Sequence, residues 1–265
     1  MTHVRMSITF WLGIILLSGM AFISILSLVW TPHDAFMLNE KYRLELPNST
    51  FWLGTDLLGR DIASRMMIAS RIILALALGT TVIAGLIGVA FALGIIVAPP
   101  FLQKILRFLI DMIMIFPTII LALVVITLWG TGLRSTMIAL AIANIPRFTK
   151  ISLAAMREQE GLEFLLVTKS LGQSPVRILY RHLLPVLKLP VLHTSVVSLA
   201  SVILGEAGLS FLGLGITPPT PSWGYSLNEA KGYIFSYPHL SIAPILCIFI
   251  TILSLNLISS AFNRK

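Results

Sequence analysis

Charge is scarce in this chain: of 265 residues, 11% are Asp, Glu, Lys or Arg, against 57% hydrophobic. The mean hydropathy is +0.93. A soluble domain of this length needs more polar residues to cover its surface, so the composition excludes one and specifies a membrane protein. Cysteine is nearly absent, with Cys247 alone inside an apolar run, which excludes an intrachain disulfide and a cysteine-rich metal site. No lysine follows a glycine anywhere, so the phosphate-cradling loop that ends in Gly-Lys-Ser/Thr is missing. Carboxylates and histidines are few and mostly fall near opposite ends of the apolar runs, which leaves a catalytic triad or acid/base pair without support. The formal charge of +8 comes from basic residues in short stretches between those runs, a pattern that suits lipid headgroups better than nucleic acid.

What the chain has in quantity is apolar runs of spanning length, at 8–30, 72–98, 108–129, 133–155, 189–212 and 241–262. Each reaches the roughly 20 residues that cross a bilayer as a helix. The first is too long for a signal peptide, and its end, Leu28-Val29-Trp30-Thr31-Pro32, has no small-x-small cleavage pattern. The expected fold is therefore all-α and polytopic, with six transmembrane helices and both termini on one side. With the N-terminus inside, twelve Lys and Arg fall on the cytoplasmic side and seven outside, which favours cytoplasmic N- and C-termini. Two connections are long enough to carry structure, an outer one at 31–71 and an inner one at 157–188. The organisation expected is a first helix with its periplasmic segment, residues 1–70, and a core membrane domain, residues 71–265, that contains the inner segment.

The inner segment reads as helix, hinge, helix. Residues 158–171 contain good helix formers with Leu162, Leu165 and Leu166 on one face. Gly172 then supplies the left-handed cap that other residues adopt only at a cost. Ser174 and Pro175 suit the N-cap and first position of a second helix, which Pro185 limits. Such a pair, too amphipathic to span, can rest on headgroups with Arg177 and Arg181 toward phosphates, or sit in a groove of a moving partner and transmit force.

On the outer side, Leu53-Gly54-Thr55-Asp56-Leu57-Leu58-Gly59-Arg60-Asp61 combines two glycines, two aspartates and an arginine ahead of the second apolar run. Alone it reads as a turn with local ion pairing. A second ordered string, Glu206-Ala207-Gly208-Leu209-Ser210-Phe211-Leu212-Gly213-Leu214-Gly215 followed by Pro218-Pro219-Thr220-Pro221-Ser222-Trp223-Gly224, reads as a helix ending in small residues and then a proline-stiffened loop. Trp223 and Tyr225 suit a membrane interface.

These strings resemble the C-type permease of dipeptide, oligopeptide and nickel ABC importers. The outer string is similar to the signature Leu-Gly-Thr-Asp-x-x-Gly-Arg-Asp, continued by Ser64-Arg65 and Ser70-Arg71. The inner segment is similar to the loop Glu-Ala-Ala, x3, Gly, x9, Ile-x-Leu-Pro, with Gly172, Leu184 and Pro185 in register. Its triplet departs, with Leu166, Val167 and Thr168 in place of the acidic residue and two alanines, and Glu163 is the nearest upstream carboxylate. The resemblance runs from about residue 51 to 256 and implies the type I ABC importer permease fold. It implies a subunit of an ATP-driven importer that forms half of a path for di- or oligopeptides across the inner membrane, or alternatively for nickel or a metal chelate. It further implies a second homologous permease, two ATPase subunits that bind ATP and Mg, and a periplasmic or lipid-anchored substrate-binding protein. The chain itself would be no enzyme and hold no cofactor or metal. Glu163, Leu166, Val167, Thr168, Gly172, Leu184 and Pro185 would form the ATPase-coupling loop. Gly54, Asp56, Gly59, Arg60 and Asp61 would form the periplasmic family motif.

Glu206 is the acidic residue well inside an expected span, and an intramembrane carboxylate is a functional candidate by default. A structural or gating role is expected over substrate contact. His193 and Asn144 read as hydrogen-bonded structure, since no ligand-type residue stands at i, i+4 from His193. Asp111 and Pro117 read as an interfacial charge and a kink. A secondary transporter would want paired intramembrane charges or interrupted helices in repeated halves, and an intramembrane enzyme would want a nucleophile with its base.

Overall fold

A computed structural model of the chain describes residues 8–159 and 184–262. Among these residues the protein is helical, without a named strand. The elements in order are α1 (Ile8–Leu26), a short 3-10 turn (Glu40–Tyr42), α2 (Ile62–Val97), α3 (Pro100–Ile115), α4 (Thr118–Trp129), α5 (Leu133–Gln159), α6 (Leu184–Phe211), α7 (Trp223–Ala230) and α8 (His239–Ser260). Five of them, α1, α2, α5, α6 and α8, are long and apolar enough to cross a membrane. The count is six if α3 and α4 together make one span.

The third expected span is not one straight helix. α3 and α4 meet at 98° across a short break. Pro117 has no N–H to give to a continuing helix and drives Phe116 into extended geometry, at φ −81° and ψ 131°. What the sequence suggests as a kink is therefore a corner. α4 has 12 residues, about 18 Å at 1.5 Å per residue, short of the roughly 30 Å hydrocarbon core.

The second helix begins ten residues before the expected apolar run. α2 has 36 residues, about 54 Å, so one end must project beyond the hydrocarbon. Its N-cap is Asp61, whose carboxylate accepts the Ser64 N–H at 2.9 Å. Arg65 and Arg71, expected in the outer connection, thus lie in its first three turns. Arg71 donates to the Ser27 carbonyl at 3.0 Å and ties the end of α1 to α2.

α2 packs along α5, α1 along α8, and α6 lies against both α5 and α8. The core is built from small and branched residues, among them Ala69, Ile73 and Ala77 of α2, Ala139 and Leu140 of α5, and Val202 and Ile203 of α6. Small residues let helix backbones approach in a setting where lipid is as apolar as the protein. At Gly88 a Cβ would stand 2.6 Å from Phe148 Cβ and 2.8 Å from the Ile145 carbonyl oxygen. Thr149 Oγ1 uses that approach to donate to the Gly88 carbonyl at 3.1 Å. α3 and α4, by contrast, turn Phe101, Phe108, Ile115, Leu128 and Trp129 outward.

Candidate functional site

The outer string folds into a turn in which each polar residue has a task. Gly54 and Gly59 hold φ of 76° and 74°, the left-handed region that only glycine enters freely. A side chain at Gly59 would collide with the Asn39 carbonyl. Asp56 closes the turn from inside: its Oδ1 accepts the backbone N–H groups of Leu58 at 2.8 Å and Arg60 at 3.0 Å. Asp61 then starts α2, and its Oδ2 lies 3.6 Å from His33 Nδ1.

The local ion pairing expected of this turn is present, but it reaches much further. Arg60 Nε donates to Asp56 Oδ2 at 2.6 Å, while its Nη2 donates to Glu229 Oε1 at 3.0 Å. Arg65 sits between the same two carboxylates, 3.5 Å from Asp56 Oδ2 and 3.7 Å from Glu229 Oε2. The Arg60 and Arg65 side chains are 6% and 3% exposed. Two cations and two anions balance, and burial at this depth requires such balance because an unpaired charge would lose its hydration without compensation. The cluster fastens the turn and the start of α2 to α7, across 169 residues of sequence.

Sequence reasoning missed Glu229 and the helix that carries it. The string 218–224, expected as a proline-stiffened loop, runs into α7, whose N-cap Ser222 accepts the Tyr225 N–H at 3.0 Å. The signal available was charge accounting: Asp61 is committed to a cap, Arg60 and Arg65 share Asp56, and Glu229 is the one acidic residue after Glu206. Trp223 is fully buried within the bundle. It follows Ser222 into the first turn of α7, where Gly224 lies directly on Ala207 of α6.

Glu206 lies on α6 in the same neighbourhood and is fully buried. Ser210 Oγ donates to its Oε1 at 2.6 Å and accepts the Ile216 N–H at 2.9 Å. The carboxylate thereby fixes the turn that ends α6, where Gly213 takes φ 78° and Leu214 N–H returns to the Leu209 carbonyl. Asn228 of α7 also donates to the Phe211 carbonyl. Glu206 thus braces the end of α6, while the Asp56 cluster holds the last turn of α7 through Glu229.

The remaining polar candidates are cross-braces within the bundle. Asn144 donates to the Leu140 carbonyl at 2.8 Å and accepts Ser198 Oγ of α6 at 3.1 Å. His193 Nε2 lies 3.0 Å from Ser259 Oγ of α8. Asp111 pairs with Lys150 at 2.9 Å, and both side chains are at least half exposed, where such a pair contributes under about 1 kcal/mol. Of the coupling-loop residues, Leu184 and Pro185 form the first turn of α6, where a proline's missing N–H costs nothing. Glu163, Leu166, Val167, Thr168 and Gly172 lie outside the described residues.

Comparison with known proteins places this geometry. The family described as the binding-protein-dependent transport system inner membrane component matches residues 85–265. The glutathione transport system permease protein GsiD of Pectobacterium atrosepticum is 34% identical over 88% of this chain and 77% of its own length. The nickel transport system permease protein NikC of Escherichia coli K12 is 33% identical over 95% of this chain and 91% of its own. Among solved structures, the inward-facing MetNI methionine ABC transporter superposes with a TM-score of 0.52 at 17% identity, covering 72% of this chain and 91% of that one. That likeness shows the fold alone. With five to six spanning helices, three ordered motifs and a family match over most of its length, the chain belongs to the binding-protein-dependent transport system inner membrane component family.

Proposed function

We propose that this multi-pass protein forms half of the translocation path of an ATP-driven importer of peptides. The single observation that carries the reading is the family match over residues 85–265, which takes in the inner segment and the bundle that surrounds it. The glutathione permease among the relatives supports a peptide cargo, since glutathione is itself a small peptide. Nickel or a metal chelate is the second reading, favoured by the nickel permease that aligns with 95% of this chain.

In this reading the N- and C-termini face the cytoplasm, and the Asp56 cluster and α7 face outward. A second, homologous permease covers the apolar surface of α3 and α4. Two ATPase subunits bind ATP and Mg and grip the inner loop, with Glu163, Leu166, Val167 and Thr168 on its first helix and Gly172 as the hinge. Because the triplet lacks an acidic residue, docking rests on the helix-Gly-helix shape and on Glu163. When the ATPases close, Leu184 and Pro185 pass the movement directly into α6, since they are its first turn. The Glu206 brace and the Asp56 cluster make α6, α7 and the start of α2 move as one body, so a displacement at the inner end of α6 reaches the outer gate. Glu206 acts here as a gating brace rather than a substrate contact.

Uptake in a strain lacking this chain tests both cargo readings. Loss of labelled di- or tripeptide uptake with normal nickel uptake is expected, with peptide uptake restored by the gene in trans. Loss of nickel uptake alone would favour the second reading, and loss of neither would refute both.

A further inference from the structure

The outer segment between α1 and α2 encloses a cleft of about 430 Å³, which neither the cluster nor the inner loop uses. Its wall carries three carboxylates, Asp34, Glu45 and Asp61, with the rings of Tyr42 and Phe51, and its lining includes no lysine or arginine. This runs against the balance of the chain. Five of its eleven acidic residues fall within 31–61, a protein with a net charge of +8.

Asp61 is the decisive member. Its residue is 2% exposed, and Oδ2 is occupied by Ser64 and faced by His33 Nδ1 at 3.6 Å. Oδ1 is buried with no hydrogen-bond donor among the described residues, where His33 Nδ1 is likewise without a hydrogen bond. A buried carboxylate oxygen left unpaired is costly, so a donor from outside the chain is favoured there. Among the described residues Asp34 Oδ1 takes only the Phe36 N–H at 2.8 Å, and Glu45 Oε2 only Asn48 Nδ2 at 3.1 Å, so both keep capacity for a cation. The rings of His33 and Tyr42 lie 4.8 and 5.4 Å from that of Phe51; Lys41 Nζ stands 5.5 Å from the Tyr42 centroid, so an incoming ammonium or guanidinium group has the faces of His33 and Phe51. Beside these groups Met37, Leu38 and Leu46 stand exposed on the same segment, as the rim of a protein contact does.

We infer that this cleft receives a lysine or arginine side chain of the extracytoplasmic binding protein when it docks. The inference rests on the importer reading above and names the chemistry of one of its partners. A volume of 430 Å³ admits a whole arginine side chain, and the apolar rim distinguishes a protein surface from a free small cation. The acidic wall steers the approach, and Asp61 Oδ1 supplies the final hydrogen bond.

The test uses the complete importer with its binding protein, reconstituted in lipid nanodiscs, with ATPase rate followed against binding-protein concentration. The variant is Asp34→Asn with Glu45→Gln, which keeps both internal hydrogen bonds and leaves the Asp61 cap untouched. The expected result is a half-stimulating concentration raised about tenfold, as for the loss of close charge pairs at an interface, with basal and maximal rates unchanged. The salt dependence of docking should weaken in parallel. An unchanged stimulation curve would overturn the inference. So would inhibition of transport by n-butylammonium that disappears in the variant while docking stays normal, because the cleft would then serve a free amine. If the double variant fails to assemble, Asp34→Asn alone, at an exposed residue, should give a smaller shift in the same direction, and no shift would overturn the inference. Absence of any stimulation with the unaltered chain would instead sink the importer reading itself.

Discussion

Replacing Glu229 by alanine takes one anion out of a buried set of four charges. Arg60 loses its 3.0 Å partner and Arg65 its 3.7 Å partner, while Asp56 remains to serve both guanidinium groups. The cluster is left with one excess positive charge among side chains that are 3–11% exposed. Breaking a buried pair from one side costs about 3–5 kcal/mol, and since Glu229 is 20% exposed the lower end, about 3 kcal/mol, is expected. For a chain of this size that is roughly 6–12 °C in Tm. Removing Arg60 as well restores neutrality, because Asp56 and Arg65 still face each other at 3.5 Å. The double variant Arg60→Ala with Glu229→Ala should therefore be more stable than the sum of the two single losses, by about 1–3 kcal/mol. The assay is chemical denaturation of the protein in nanodiscs, followed by tryptophan fluorescence, with Trp223 in the first turn of the perturbed helix. A Glu229→Ala loss under about 0.5 kcal/mol, the range of ordinary surface changes, or strictly additive single losses, would refute the claim that the four charges act as a unit.

Three further outcomes are expected. Gly88→Val forces branched carbon to within 2.6 Å of Phe148 Cβ and should cost at least about 1–3 kcal/mol through separation of α2 and α5, measured by the same denaturation. Asp61→Ala should lose about 1 kcal/mol with the N-cap of α2, while Asp61→Asn, which still accepts the Ser64 N–H, should keep most of it; equal losses would show that the charge and not the cap matters. Under the proposed coupling role of the inner segment, Gly172→Val is expected to abolish uptake while the proposed ATPase subunits still co-purify, because a β-branched residue resists the left-handed cap that the sequence leads one to expect there; normal uptake would refute the hinge.

Much of the fold could be read locally. Spanning helices announce themselves by length and hydropathy, properties of a segment and its solvent that do not depend on what the segment touches. The caps and breaks were equally legible where they reside in one residue: Pro117 marks the break between α3 and α4, and Gly54 and Gly59 mark a turn. The angle at Pro117 was not, because proline removes a hydrogen bond and forbids helical geometry before it but leaves the new direction to packing. The start of α2 escaped as well. Residues 62–71 look polar only because Arg65 and Arg71 interrupt the run, and groups elsewhere in the chain receive both: Asp56 and Glu229 face Arg65, and the Ser27 carbonyl accepts Arg71.

The candidate site divides along the same line. Composition, span positions and the residues of the outer motif were determined by the sequence, since they rest on hydrophobic transfer and backbone sterics, which act over a few residues. The tertiary structure alone decided that Arg60 and Arg65 answer to Glu229, that 223–230 is a helix, that Trp223 is buried and that Asp61 lines a cleft. Each of these depends on bringing together groups far apart in the chain, and an electrostatic partner at that separation leaves no periodicity to read. Its only trace is an imbalance of charge that the fold must resolve.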